Sequence, residues 1–345
     1  MPAHAATRLI GAALFAAAGI ASIAVADAQS VEQFYKGKTV NLYIGYAPGG
    51  GYDFFGRLVA RHLGRHIPGA PTVVPQNMPG AGSLRAANFV YNVAPKDGTA
   101  LGIVTQTVAL EDAFGTPGVQ YKATGFNWIG RATSNVDMML MWHTSKVKTI
   151  QDAMQIETPV AGTGPGSPAE FMPKVFNNVL GTKFKVITGY PGSNEGMLAM
   201  EKGEVDGATT SWNTVKTSKQ EWLQTKMINL LVQYTPYRHK ELPNVPNMVE
   251  LGKTDEQKQI LGLYASGAVI GRSIFTSPGV PAERVKALRD AFTAMTKDPV
   301  FLAEIEQTKA EFDPMAGDEL QKTIEEATKI APDVREKARL ARGLD

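Results

Sequence analysis

Two glycine-rich turns carry most of the chemistry that can be read from this chain. The first is Pro48-Gly49-Gly50-Gly51-Tyr52-Asp53. Residues without a Cβ let the backbone turn sharply and approach another molecule, and the free N–H groups of a following helix point into the same space. Such a place attracts anions. The second turn is Gly162-Thr163-Gly164-Pro165-Gly166-Ser167, which adds the hydroxyls of Thr163 and Ser167 at another helix start. A third, at 188–194, offers Tyr190 and Ser193. Spacing excludes two phosphate sites. No Gly-Lys-Ser/Thr follows the first turn, as a P-loop requires, and Gly49-Gly50-Gly51 leads to Gly56 at the wrong offset for the dinucleotide fingerprint. What remains is a general anion cradle of backbone N–H groups and small hydroxyls.

Ser167 has two readings. It precedes Pro168 and Glu170, the pattern of a helix N-cap with proline at the first helical position. Its hydroxyl can instead donate to a ligand carboxylate. Asp53 is constrained differently, because an ionised carboxylate a few ångströms from an anionic ligand repels it by about 1–4 kcal/mol. It is therefore expected to cap its helix, hold water or meet the other end of the ligand.

These turns need strands before them and helices after them. Val40, Leu42 and Ile44 alternate with Asn41, Tyr43 and Gly45, as in a strand. Phe54/Phe55, Leu58/Val59 and Leu63 form the apolar face of a helix beginning near Asp53, with Arg57, Arg61 and Arg65 on another face. Phe171, Val175, Phe176, Val179 and Leu180 do the same behind the second turn. From 39 to 114 the pattern is strand–helix repeated, with strand at 72–74, helix at 84–93 and strand at 101–105, which predicts a mainly parallel sheet. Further strands are expected at 138–142, 184–187, 208–212, 228–233 and 265–270. The charged tail 318–342 predicts one solvated terminal helix.

A net charge of +2 is too balanced for a nucleic-acid partner or a membrane surface. The absence of cysteine removes disulfides, thiolate metal sites and a cysteine nucleophile. Beyond residue 28 the histidines are His62, His66, His143 and His239, none in a triad or metal motif. His62 and His66, four apart on a helix, read as a solvated face. A hydrolase or lyase using the same cleft would be poorly supplied with catalytic groups, so no catalytic residue, metal or cofactor is expected. Residues 1–28 differ from the rest: Arg8, an apolar run over 9–25, then Ala26-Asp27-Ala28. This predicts a signal peptide cleaved near Gln29. The alternative is an uncleaved anchor, for which the run barely reaches the roughly 17-residue minimum.

Several motifs together resemble the tripartite tricarboxylate transporter substrate-binding receptors. They are Pro-Gly-Gly-x-x-Asp at 48–53, Met-Pro-Gly-Ala-Gly at 78–82, Pro-Lys-Asp-Gly-Thr at 95–99 and Gly-Tyr-Pro-Gly-Ser at 189–193. Lys-Glu-Leu-Pro-Asn-Val-Pro at 240–246 and Gly-Val-Pro-Ala at 279–282 extend the likeness over nearly the whole mature chain. The resemblance implies an α/β fold, a two-lobed periplasmic binding protein (type II, Venus flytrap) with its ligand cleft between two α/β domains. It implies crossings near 128–131 and 233–237, giving lobe 1 from 29–130 and 235–345 and lobe 2 from 131–234. It implies that the first two turns face each other and hold a carboxylate by N–H groups and hydroxyls, with water around Asp53. On that basis the expected ligand-binding residues are Pro48, Gly49, Gly50, Gly51, Tyr52, Asp53, Thr163, Gly164, Ser167, Tyr190, Ser193 and Trp212. The implied partners are a small organic carboxylate (a di- or tricarboxylate or an aromatic acid) and the membrane permease subunits of the transporter. A periplasmic monomer with no nucleic-acid partner is expected. A receptor presenting its liganded surface to a signalling partner shares the fold and the site and is the alternative.

Three departures leave the identity of the ligand open. Gly51-Tyr52 stands where many relatives carry smaller polar residues, the 67–75 connection is longer than usual, and Pro165 removes one N–H donor. Tyr46, Tyr52, Tyr190 and Trp212 either line the cleft for a ligand with an apolar body or are ordinary packing.

Overall fold

β1 (Thr39–Ile44) buries Val40, Leu42 and Ile44 and turns the alternate side chains outward, and the first glycine turn leaves its C-terminal end. This is a computed structural model, and it describes residues 29–344, so the expected signal peptide lies outside the described residues. β1 pairs in parallel with β2 (Thr72–Asn77) and β3 (Ala100–Ile103). After β4 (Asn127–Arg131) the chain builds a second sheet from β5 (Asp137–Trp142), β6 (Thr158–Ala161), β7 (Phe184–Ile187), β8 (Gly207–Ser211) and β9 (Ile228–Gln233). It returns to the first sheet with β10 (Ser273–Thr276) and β11 (Met315–Ala316). The strand orders are β11-β4-β10-β3-β1-β2 and β7-β6-β8-β5-β9. Parallel pairing holds for β1–β3 and for β6 with β7 and β8, whereas β10 and β5 are inserted antiparallel. Both glycine turns leave the C-terminal ends of parallel strands, where open α/β sheets bind ligands.

The helix Gly51–Leu63 packs Phe55, Leu58, Val59 and Leu63 into a core with Leu42, Ile44, Phe292 and Phe301. Each such side chain contributes about 1.5–3 kcal/mol on full burial. Behind the second turn, the helix Pro168–Leu180 buries Phe171, Val175 and Phe176 with Met139, Met141 and Val160. Leu261 and Tyr264 of the helix Asp255–Ala265, and Ala338 and Ala341 of the helix Pro332–Arg342, join that second core. The stretch 235–345 thus does not pack solely under the first sheet.

Three sequence expectations need correction. Residues 265–270 are not a strand: they end the helix Asp255–Ala265 and form the 3-10 turn Ser266–Val269, and β10 starts only at Ser273. A capping box at Thr254 and Gln257 launches a helix that carries into the apolar run, and a short run of that kind has no decisive period. The tail is two helices, Gly317–Ala327 and Pro332–Arg342, because Pro332 suits a first helical turn and disfavours helix before it. That tail is not simply solvated either, since Leu320, Ile324, Ala338 and Arg342 are buried. His62 is also buried, its Nε2 2.5 Å from Glu304 Oε2 and its Nδ1 2.7 Å from Arg65 Nη2. His66 Nε2 lies 2.9 Å from Asp298 Oδ2, so this helix face docks on acids from a distant segment instead of facing water.

Candidate functional site

The first turn is organised from within by Asp53. Its Oδ2 accepts from the Gly49 N–H at 3.0 Å, and its Oδ1 accepts from Arg57 Nε at 2.9 Å and Asn77 Nδ2 at 2.8 Å. Burial alone would raise its pKa, but hydrogen bonds from Arg57, the Gly49 N–H and Asn77 outweigh it and hold the carboxyl below the usual value. Pro48, Gly49 and Asp53 therefore shape the turn, while Gly50, Gly51 and Tyr52 line a cavity of about 40 Å³.

Thr163 and Ser167 line that cavity from the second turn, and Ser193 from the third. Ser167 is the N-cap of its helix: its Oγ accepts from the Ala169 N–H at 3.1 Å and from Thr163 Oγ1 at 2.6 Å. Gly164 (φ +121°) has another task, because a Cβ there would sit 2.6 Å from the Gly82 nitrogen. Its missing side chain lets the turns from the two sheets meet backbone to backbone. The Gly166 N–H donates to Ala81 O at 3.3 Å and Thr107 Oγ1 to Gly166 O at 2.9 Å across the same meeting. Gly164 and Tyr190 line an outer cavity of about 450 Å³, which shares Thr163 with the inner one. Trp212 lines neither of these two cavities, and its indole Nε1 donates to Glu241 Oε2 at 2.6 Å. His239, Glu241 and Glu311 converge within metal-ligand distance. Lys216 Nζ already bridges the two carboxylates at 2.6 and 3.1 Å, however, so their negative charge is met by a side chain.

The feature that sequence reasoning missed is Arg272. It immediately precedes β10, is only 3% exposed, and lines the inner cavity. Its guanidinium carbon lies 3.7 Å from the centre of the Tyr52 ring, and Tyr52 stacks in turn on Tyr46 at 4.8 Å. Burial pushes the Tyr52 phenol up to about 12 against the lowering influence of Arg272. A Cβ on Gly51 would meet Arg272 Nη2 at 2.6 Å, so the glycine leaves room for the guanidinium beside the helix start. Arg272 Nε and Nη1 are buried without a hydrogen-bond partner among the described residues. A buried cation with idle donors is costly unless an anion meets it.

Asp137, Thr209, Thr210, Ser211 and Thr214 also line it and have no counterpart among the expected site residues. A signal existed for the charged pair. Arg272 is the lone charge in an apolar run from 265 to 275, and Asp137 opens the apolar run 138–142. Burial pushes the Asp137 carboxyl above its ordinary value, opposed by Arg272.

The model of the tripartite tricarboxylate transporter family receptor matches residues 56–339. A curated Cupriavidus necator protein, "UPF0065 protein in gbd 5'region", is 26% identical over 318 residues, covering 88% of this chain and 86% of its own. The periplasmic binding protein BugD matches with a TM-score of 0.71 at 19% identity, over 90% of this chain and 99% of that one. MatC from Rhodopseudomonas palustris, solved with bound malate, matches at TM-score 0.67 and 19% identity, over 86% and 99%. An R. palustris protein solved with adipate matches at 0.68 and 21%, over 89% and 97%. These structures share the fold of two α/β sheets described above. The chain belongs to the tripartite tricarboxylate transporter receptor family, whose members are periplasmic substrate-binding receptors and not enzymes.

Proposed function

We propose that this receptor captures a small organic carboxylate between its lobes in the periplasm and passes it, as a monomer, to the permease subunits of a tripartite tricarboxylate-type transporter. The observation that carries this reading is Arg272, a buried guanidinium with Nε and Nη1 idle, lining the same cavity as the first-turn helix start. A planar guanidinium fork suits a carboxylate. The helix start at Gly51 adds N–H groups of the same preference. The malate and adipate held by two relatives in the fold are acids of this class. Among the described residues no helix is long and apolar enough to cross a membrane.

The ligand-binding set is Gly50, Gly51, Tyr52, Thr163, Ser167, Ser193 and Arg272, with Pro48, Gly49 and Asp53 holding the first turn in shape. A volume of about 40 Å³ holds a carboxylate head and little more, at roughly 10–15 Å³ for each water-sized group. The rest of the ligand runs past Thr163 into the outer cavity, beside Tyr190. A thermal-shift panel of mono-, di- and tricarboxylates, aromatic acids, amino acids and neutral sugars tests the reading. At a hundredfold its Kd an acid stabilises the protein by about 2.7 kcal/mol, a shift of several degrees. Stabilisation by a neutral sugar with none by any acid would overturn it.

Ser167→Ala gives a finer test. Both acceptor sites of the hydroxyl are used, by Ala169 and Thr163, so its own O–H, beside the Tyr46 phenol, is what it has left to give a ligand. Loss of the cap costs the unliganded protein about 0.5–2 kcal/mol. Loss of a hydrogen bond to a carboxylate costs about 1.5–3 kcal/mol of binding, a Kd roughly ten- to a hundredfold weaker. Both changes are expected, measured by melting and by calorimetry. A lowered melt with unchanged affinity would leave Ser167 as a cap alone.

A further inference from the structure

Arg272 is not the only charged side chain at the inner cavity. Asp137, the first residue of β5, lines it too and is only 8% exposed. Its Oδ1 accepts from Asn135 Nδ2 at 2.8 Å, and Asn135 is fixed in turn by Gln106 Oε1. Among the described residues Oδ2 has no hydrogen-bond partner. Arg272 immediately precedes β10 of the first sheet and Asp137 opens β5 of the second, and among the described residues they form no salt bridge with each other. Two opposite charges thus stand around one small buried space, each with hydrogen-bonding capacity unused.

This arrangement selects among carboxylates. A plain acid completes Arg272 but brings a second negative charge close to Asp137, where the two repel at low local dielectric. A neutral hydroxyl on the ligand would give Asp137 a hydrogen bond without balancing its charge. A ligand with an anion and a cation two bonds apart completes both side chains at once and leaves the liganded cavity neutral. From the placement of Arg272 and Asp137 at one cavity, and resting on the carboxylate reading of this cleft, we infer that the preferred ligand is an α-amino acid. Its carboxylate meets Arg272 and the Gly51 helix start, its ammonium meets Asp137, and its side chain runs past Thr163 to the outer cavity. Asp137 is then the specificity-determining residue. The surrounding hydroxyls of Thr210 and Thr214 supply further polar contacts, and Thr210 Oγ1 is itself buried without a partner.

Calorimetry on the purified protein with matched triplets tests this: L-alanine, L-lactate and propionate, then L-aspartate, L-malate and succinate. The amino acid of at least one triplet is expected to bind about tenfold or more tighter than both its partners. Asp137→Asn keeps the shape and the Asn135 contact but removes the charge. It should weaken amino-acid binding about ten- to a hundredfold and leave the plain acids unchanged or improved. The wild-type ranking decides even where the variant does not fold. A hydroxy acid or plain acid that binds as tightly as its amino acid in both triplets overturns the inference and leaves the carboxylate reading standing. Binding by none of the six overturns the inference, and the carboxylate reading then stands or falls on the wider acid panel of the thermal-shift test.

Discussion

Replacing Arg272 by methionine is expected to remove most ligand affinity while leaving the fold intact. Methionine keeps the length and the contact with the Tyr52 ring, which the guanidinium carbon now covers at 3.7 Å. The Nε and Nη1 donors have no partner among the described residues, so the substitution leaves no protein acceptor orphaned by them. Exchanging a buried charge for an apolar side chain is often neutral or stabilising. Asp137 loses the positive charge that opposes its upward shift and holds a proton more readily, which limits its own desolvation cost. Binding behaves differently. Truncating one partner of a buried, hydrogen-bonded charge pair costs about 2–5 kcal/mol, a Kd roughly thirty- to a few thousand-fold weaker. Arg272→Lys restores a point charge without the planar fork and should recover only part of the loss. Calorimetric affinity for the best acid of the panel, read beside the melting temperature of the unliganded protein, checks both halves. Affinity within about threefold of wild type would mean that the guanidinium does not touch the ligand.

The contrast between Ser167 and Arg272 shows what could be read in advance. Ser167 is defined by its neighbours: Pro168 and the apolar spacing of 171–180 mark a helix start, and the hydroxyl caps it as that pattern requires. β1 and the helix after it were legible for the same reason, because alternation and four-residue recurrence are properties of adjacent sequence. Arg272 and Asp137 have no such periodicity. They sit beside the two sheet crossings, and only the antiparallel insertion of β10 and β5 brings them to one cavity. His62 escapes a local reading for a related reason, since its partner Glu304 is 242 residues away along the chain. Asp53 lies between these cases. Its charge would repel the ligand's anionic end, and its bonds to Gly49, Arg57 and Asn77 give it a task inside the turn. What pattern cannot supply is the identity of long-range partners, and at this site those partners carry the charges.

Arg342→Met is expected to destabilise the whole protein, although the residue stands at the end of a tail whose composition reads as solvated. Its Nη1 and Nη2 donate to Glu111 Oε1 and Oε2 at 2.8 and 2.9 Å, with side chains 3% and 0% exposed. Its guanidinium carbon lies 4.3 Å from the centre of the Phe171 ring, and Nη2 also donates to Pro165 O in the second glycine turn. One side chain thus ties the terminal helix to the helix Val108–Phe114 and to the turn carrying Thr163 and Ser167. Removing it strands Glu111 in an apolar setting, and breaking a buried pair from one side costs about 3–5 kcal/mol. The pH dependence has a definite sign. Burial already raises the Glu111 pKa against the lowering influence of Arg342, and without Arg342 it rises further. Between about 4.3, the unfolded value, and that raised folded value, the native state keeps a proton that the unfolded chain has released. Stability therefore falls as pH rises through this window, and the deficit of Arg342→Met should be larger near about pH 7 than near about pH 5. Urea unfolding of wild type and variant at the two pH values measures it. Adding Glu111→Leu removes the stranded charge and should recover much of the loss, because replacing both members of a buried pair by apolar groups is often neutral. A deficit below about 1 kcal/mol that does not change with pH would show that the Glu111–Arg342 pair contributes little to holding the tail beneath the second glycine turn.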